Sequence, residues 1–219
     1  MAPKSAKAQR KRPRRHRTRV RLSVADRRRQ LLDLGLRAFA DRSYDAVSID
    51  EIAEQAGISR SLLFHYFASK HDYYVAILGR AAEALLEQTV TEGDGPPAER
   101  LEAGLHAYFR FVDQHAGAYA TLLRGGVGFD PVVQELVEST RRRFVDTIRE
   151  HIEPLIAGAP GGAEPAQLRA ALRGWIGLVE ALALDWIEHR DLPVAEIVAM
   201  AIRGIAVTIP GAGRILRES

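Results

Sequence analysis

The 219-residue chain contains no cysteine. Disulfide frameworks, thiolate nucleophiles and cysteine-rich zinc sites are therefore excluded, and the absence fits a reducing compartment. Long apolar runs are missing as well. The two most hydrophobic stretches, 174–187 and 192–209, are broken by Glu180 and Asp185 and by Glu196 and Arg203. Both fall short of the roughly 20 apolar residues a membrane helix needs, so no membrane partner is expected. The basic residues 1–22 lead into the polar run 23–30 rather than a hydrophobic stretch, which argues against a secretory signal and for a cytoplasmic protein. Catalytic signatures are absent too. No His-Glu-x-x-His helix, Gly-x-Ser-x-Gly elbow or Walker loop occurs, and Gly125-Gly-Val-Gly128 lacks a following lysine. The seven histidines are scattered, with no pair at ligand spacing. Neither an enzyme, nor a metal, nor a cofactor is expected.

Acidic residues are missing from one end only. Residues 1–22 hold ten Lys and Arg, and no Asp or Glu precedes Asp26. The remaining 21 basic residues face 28 acidic ones, so a body of charge −7 carries a strongly cationic arm beneath a net charge of +3. That asymmetry points to a polyanion met by the N-terminus, with double-stranded DNA the leading partner. With almost no large apolar side chain, residues 1–22 read as a disordered arm. A solubilising tail is the plainer alternative.

What remains is helical. From Ser23 onward the apolar residues recur at helical spacing and nowhere alternate as in a strand, so the chain reads as all-α. A first helix over about 24–41 aligns Leu32, Gly35, Leu36 and Phe39 on one stripe. Ser48-Ile-Asp-Glu51 has the form of a capping box and starts a short second helix. Gly57 suits the left-handed conformation that ends it, and Ser59 caps a third helix over 60–67 after one intervening residue. Ser69-Lys-His-Asp72 opens a longer helix over 70–91. The clearest linker is the run 92–97, Glu-Gly-Asp-Gly-Pro-Pro. Further helices are predicted near 98–115, 118–124, 131–156, 165–190 and 192–209.

Two capped short helices across a glycine turn are what a helix-turn-helix requires, with the N-terminal side chains of its second helix at the base edges of the major groove. That end offers Ser59, Arg60 and Ser61, with His65 a turn later. Arginine bonds guanine bidentately, serine bonds bases or phosphates, and Lys70 at the next helix start suits a phosphate. Serines 48, 59 and 69 are equally explained as caps, and His65 and Tyr66 as solvated surface. Arg27, Arg28 and Arg29 sit where a helix dipole disfavours cations, which fits a phosphate partner or a merely solvated basic turn.

The run Gly57-Ile-Ser-Arg-Ser-Leu-Leu-Phe-His-Tyr-Phe-Ala-Ser-Lys70, preceded by Ser48-Ile-Asp-Glu-Ile-Ala53 and by 36–44, resembles the N-terminal domain of TetR-type (tetracycline-repressor-like) regulators. The likeness covers about 24–75. It implies phosphate contacts from Ser48, Tyr66 and Lys70 and base contacts from Arg60, Ser61, Leu62 and His65. Leu62 departs from the small or hydroxyl residues many members carry there and suits a thymine methyl or packing. The arginine arm, Arg17, Arg19 and Arg21 included, resembles minor-groove or phosphate-tracking arms. The resemblance implies a three-helix DNA-binding domain at 23–75, after the arm at 1–22, and a helical ligand-binding and dimerisation domain at 76–219.

In that second part, Trp175, Ile176, Leu178, Val179, Leu182, Leu184, Trp186 and Ile187 go nearly all round one helix, which calls for a second buried surface. A homodimer interface at Ile176, Val179, Leu182, Trp186, Ile197 and Ile205 would supply it. Dimerisation also suits a palindromic operator, whose half-sites lie about 34–36 Å apart. Apolar stripes at 101–112 and 133–155, with polar groups beside them, suggest a pocket for a small, hydrophobic effector of unknown identity. Its candidate contacts are His106, Tyr108, Tyr119, Thr140, Phe144, His151 and Trp175. The expected function is a ligand-responsive transcriptional regulator, a repressor released by its effector. The alternatives are a constitutive or architectural DNA-binding protein relying on its arm, and a helical small-molecule-binding protein.

Overall fold

The computed structural model describes residues 22–40, 42, 44–90, 95–124, 130–156, 164–209 and 212–215, and all regular elements among them are helices. They run α1 (Val24–Ala40), α2 (Ile49–Ala56), α3 (Arg60–Tyr66), α4 (Lys70–Thr89), α5 (Pro97–Gln114), α6 (Ala116–Leu123), α7 (Pro131–Ile156), α8 (Pro165–His189), α9 (Val194–Thr208) and a single turn α10 (Ala212–Ile215). The predicted helices are thus present with ends shifted by a few residues, and α10 is additional.

The caps explain the short helices. The Ser48 hydroxyl accepts the Glu51 amide, Ser59 accepts that of Leu62, and Ser69 accepts that of Asp72. The Glu51 carboxylate does not return to Ser48 as a full capping box would have it. It bonds Arg42 Nη1 at 2.7 Å, because an arginine is a stronger partner than one exposed amide. Gly57 takes φ 65°, and its amide and that of Ile58 close onto Glu54 and Ala53. A side chain is strained there, so glycine fixes how sharply α3 leaves α2.

The apolar stripe of α1 packs on α2 and α4. Gly35 makes the α1–α4 approach feasible: a Cβ there would lie 2.2 Å from Ile77 Cδ1 and 2.6 Å from Tyr73 Oη. Tyr73 uses that closeness to donate to the Leu31 carbonyl at 2.5 Å. Around these sit Leu31, Ile52, Leu63, Phe67 and Ile77, all buried.

A second core lies between α5, α8 and α9, centred on Phe109, Leu172, Trp175 and Ile205. The indole of Trp175 donates to the Ala201 carbonyl at 2.8 Å, and that of Trp186 to the Leu192 carbonyl at 3.1 Å. Buried indoles need such partners, and here they tie α8 to α9 and to the turn before it. The two cores share α4, whose Tyr73, Tyr74, Ile77 and Leu78 belong to the first and Leu85 to the second. Val133 of α7 also enters the first core.

Candidate nucleic-acid interface and interior cavity

The α2–α3 pair presents one polar surface. Ser59, Arg60, Ser61 and His65 are exposed on it, and Leu62 is 39% exposed although its neighbour Leu63 is fully buried. Ser48, Tyr66 and Lys70 are half-buried at its margin. All eight sequence-selected side chains of this region are thus exposed or half-buried. Arg17, Arg19 and Arg21 lie outside the described residues.

Several of these groups are held by neighbours. Arg60 bonds Asp50 Oδ2 at 2.6 Å and lies over the Phe64 ring. Ser59 and Ser61 share a 2.9 Å hydroxyl contact. The Lys70 ammonium sits 4.8 Å from the Tyr44 ring centre and donates to the Asp45 carbonyl at 3.4 Å. His65 stands edge-on to Tyr66. Exposed pairs of this kind hold little free energy, so they orient the cations without consuming them. The α1 arginines have structural employment: Arg27 donates to Gln30 and to the Ala56 carbonyl, Arg28 covers Phe67, and Arg29 approaches Asp26 at 3.7 Å. Neither these contacts nor Asp50 beside Arg60 was legible in the sequence, since the partners are 10 or more residues away in most cases.

The interior holds a cavity of about 350 Å³. Along α7 its wall runs from Leu136 to Ile152, and along α4 from Ile77 to Thr89. At 1.5 Å per residue the α7 stretch spans about 24 Å, so the space is elongated. Leu36 and Phe39 of α1 close one end, and Ile205 of α9 also contributes. The walls are chiefly aliphatic and aromatic.

Six of the seven expected contacts, Tyr108, Tyr119, Thr140, Phe144, His151 and Trp175, line it. His106 does not. It points to Glu102 on the outer face of α5 at 3.9 Å, because the cavity side of that helix is taken by Leu105 and Tyr108. Sequence reasoning overlooked the polar cavity residues Thr89, Arg100, His115 and Thr147, and with them Arg141 and Glu180. The last two form a fork, Arg141 Nε to Glu180 Oε1 at 2.8 Å and Nη2 to Oε2 at 2.7 Å. Glu180 inside the apolar run 174–187 was an available signal, whereas Arg141, one of three consecutive arginines in the charged α7, gave none. Beside the fork the Tyr108 and Tyr119 hydroxyls bond each other. Burial pushes the Tyr108 phenol well above its ordinary range and raises that of Tyr119, so both stay protonated.

The expected dimer face requires correction. Ile176, Val179, Trp186, Ile197 and Ile205 are buried within one chain, and Leu182 is half-buried. The reason is that these side chains lie on the sides of α8 and α9 that pack on each other and on α5 and α7, while the α8 stripe through Ala170, Gly174, Leu178, Ala181 and Asp185 stays exposed. The apolar residues left outside on α8 and α9 are Leu178, Met200 and Val207, the last 85% exposed. A Cβ at Gly204 would lie 2.4 Å from Leu178 Cδ2, so Leu178 rests on α9 between the positions of Met200 and Val207. These three side chains form one patch.

Among the described residues no cluster of His, Asp and Glu has metal-ligand geometry, and no helix is long and apolar enough to cross a membrane. Residues 31–77 match the family model described as bacterial regulatory proteins, tetR family, and residues 97–208 match a tetracyclin repressor-like C-terminal domain. The chain is similar to the transcriptional activator FasR of Mycolicibacterium smegmatis, 28% identical over 180 residues covering 80% of this chain and 78% of that protein. It is 32% identical to the transcriptional repressor KstR2 of Mycobacterium tuberculosis over 62% of this chain and 71% of that one. A crystal structure of a tetR-family transcriptional regulator from Streptomyces coelicolor superimposes with a TM-score of 0.75 at 35% identity, covering 90% of this chain and 89% of the other.

Proposed function

Because the chain belongs to the tetracycline-repressor-like family of bacterial transcriptional regulators, we propose that it binds a palindromic operator as a homodimer and is released when a small apolar molecule occupies the interior cavity. In this reading residues 23–75 bind DNA and 76–219 bind the effector and the second subunit, with α4 common to both. Arg60, Ser61, Leu62 and His65 face base edges. Ser48, Ser59, Tyr66 and Lys70 contact phosphate, joined by Arg17, Arg19 and Arg21 of the arm.

One observation carries the switch. The cavity wall includes Leu36 and Phe39 of α1 as well as Ile77 and Leu78 of α4, so an occupant touches the helices that support α2 and α3. A ligand that prefers one position of α4 alters the distance between two recognition helices, and DNA and ligand then oppose each other reciprocally. The second subunit is assigned to the patch of Leu178, Met200 and Val207, since an unpartnered apolar patch on paired helices suits an isologous contact.

The test begins with selection of a double-stranded operator from a random pool by the full-length chain. That operator is then titrated with and without dodecanol, a neutral apolar probe. The reading expects weaker operator binding at saturating probe, and equal affinities would refute release by ligand.

A further inference from the structure

The head group the cavity accepts follows from how its polar side chains are already spent. Arg141 has given Nε and Nη2 to Glu180 and Nη1 to Glu138 at 2.5 Å. Arg173 in turn donates to both oxygens of Glu138 at 3.1 Å. Two guanidinium groups thus balance two carboxylates, and the Arg141–Glu180 fork is mostly withdrawn from water, with the two side chains 21% and 16% exposed. At the fork a carboxylate finds no uncommitted cation, while Arg100 and His115 line the cavity elsewhere and hold contacts of their own. That carboxylate would have to displace Glu180 and leave that charge buried without its partner, which is strongly unfavourable.

Neutral groups find better terms at the same place. In the Tyr108–Tyr119 pair one hydroxyl donates to the other, so one O–H remains to donate and oxygen lone pairs remain to accept. Both phenols stay protonated because burial opposes their ionisation, and Glu180 raises both further. Thr140 has committed its proton to the Leu136 carbonyl at 2.8 Å, leaving its oxygen as an acceptor into the cavity. One donor and several acceptors, all uncharged, therefore line the cavity together, with Thr140 about 6 Å from the Leu136 end of the α7 wall and about 18 Å from the Ile152 end.

We infer that the cavity takes an elongated apolar molecule bearing one uncharged hydrogen-bonding group, an alcohol, ketone, ester or amide, held at Tyr108, Tyr119 and Thr140, and rejects the carboxylate of equal length. The inference rests on the cavity being the effector site. His151 also lines the wall, but it lies ten residues further along α7, about 15 Å from Arg141, and is exposed. An anion held there would keep its head at the surface rather than at the tyrosines.

Displacement of Nile red from the full-length protein at neutral pH tests it, with dodecanol, methyl dodecanoate and dodecanoate as competitors. The neutral pair is expected to compete at roughly tenfold or more lower concentration than dodecanoate. In the double variant Tyr108→Phe, Tyr119→Phe both hydroxyls are gone, and the advantage of the neutral pair over dodecanoate shrinks. In Glu180→Gln the fork loses its anion, Arg141 becomes available, and dodecanoate gains on dodecanol. Dodecanoate competing as well as or better than dodecanol in the unaltered protein overturns the head-group assignment and leaves the effector site standing. Failure of every competitor to displace the dye overturns both.

Discussion

Nε2 of His71, in the first turn of α4, meets Oδ2 of Asp130, whose other carboxylate oxygen accepts the Val132 amide at 2.9 Å at the start of α7. The hydrogen bond from His71 holds the Asp130 carboxyl below the ordinary carboxylate range. Thus the helix that follows the recognition helix is fastened to the helix that forms the longest wall of the cavity. A fastening at this place is suited to carry a change in α7 to α4.

Substituting Asp130→Asn or His71→Gln is expected to weaken the link while leaving the α2–α3 surface untouched. The ratio of operator affinities without and with dodecanol, on the order of 5–150-fold for such couplings, should shrink toward unity. Operator affinity without the probe should change little. A ratio equal to that of the unaltered chain would show that coupling travels elsewhere.

Tyrosine ionisation supplies a pH test. Tyr73, Tyr108 and Tyr119 are held above the ordinary phenol range by burial. The unfolded chain ionises them near pH 10 while the folded chain keeps their protons, so their contribution to stability is complete below about pH 10 and is lost as pH rises above it. Of the chain's six tyrosines, these three should show no tyrosinate absorption until the protein unfolds in alkali. Reversible titration of all six near pH 10 with helicity intact would contradict their burial.

The turn and its neighbour test the helix-turn-helix packing. Gly57→Ala places a Cβ at φ 65° and should cost about 1–2 kcal/mol. Leu63→Ala removes a fully buried side chain and should cost about 2–5 kcal/mol. Urea unfolding measures both. Losses within a few tenths of a kcal/mol would mean that α3 is not seated as described.

At the outer patch, Val207→Glu adds a charge at a position 85% exposed, so the fold of one chain should survive it. Sedimentation should then report a monomer, with unchanged helicity and operator binding weakened by at least tenfold, since two half-sites are no longer read together. A dimer as stable as the parent would move the interface off Leu178, Met200 and Val207.

Removal of residues 1–21 takes away ten cations. The slope of log affinity against log salt should fall by about 0.9 for each phosphate that the arm neutralises in the full-length chain, while preference for the selected operator persists. If preference vanishes with the arm, α3 is not the reader.

Local elements were legible because their causes are local. Ser48, Ser59 and Ser69 sit three residues before the amides they cap, and Gly57 stands where the chain turns, so the order of the short helices follows from neighbouring residues. Six of the cavity residues were also within reach, because groups such as Tyr108, Thr140 and Phe144 are polar or aromatic positions on or beside apolar stripes. His106 faces away from the cavity, and five of the six expected dimer residues are buried within one chain, for a shared reason. Periodicity tells which residues lie together on a helix but not which neighbour covers them.

The sequence by itself determined an all-α chain, a capped helix-turn-helix, a cationic arm on an acidic body and the exclusion of cysteine chemistry, all of which rest on residue type and short-range spacing. The tertiary structure decided the rest. It buried the sides of α8 that carry Trp175, Val179 and Trp186, joined Arg141 to Glu180 across 39 residues, left Leu178 with Met200 and Val207 as the outer patch, and ran one cavity from α1 to α9. Those outcomes depend on which faces meet among long helices packed together, a relation no single helix encodes.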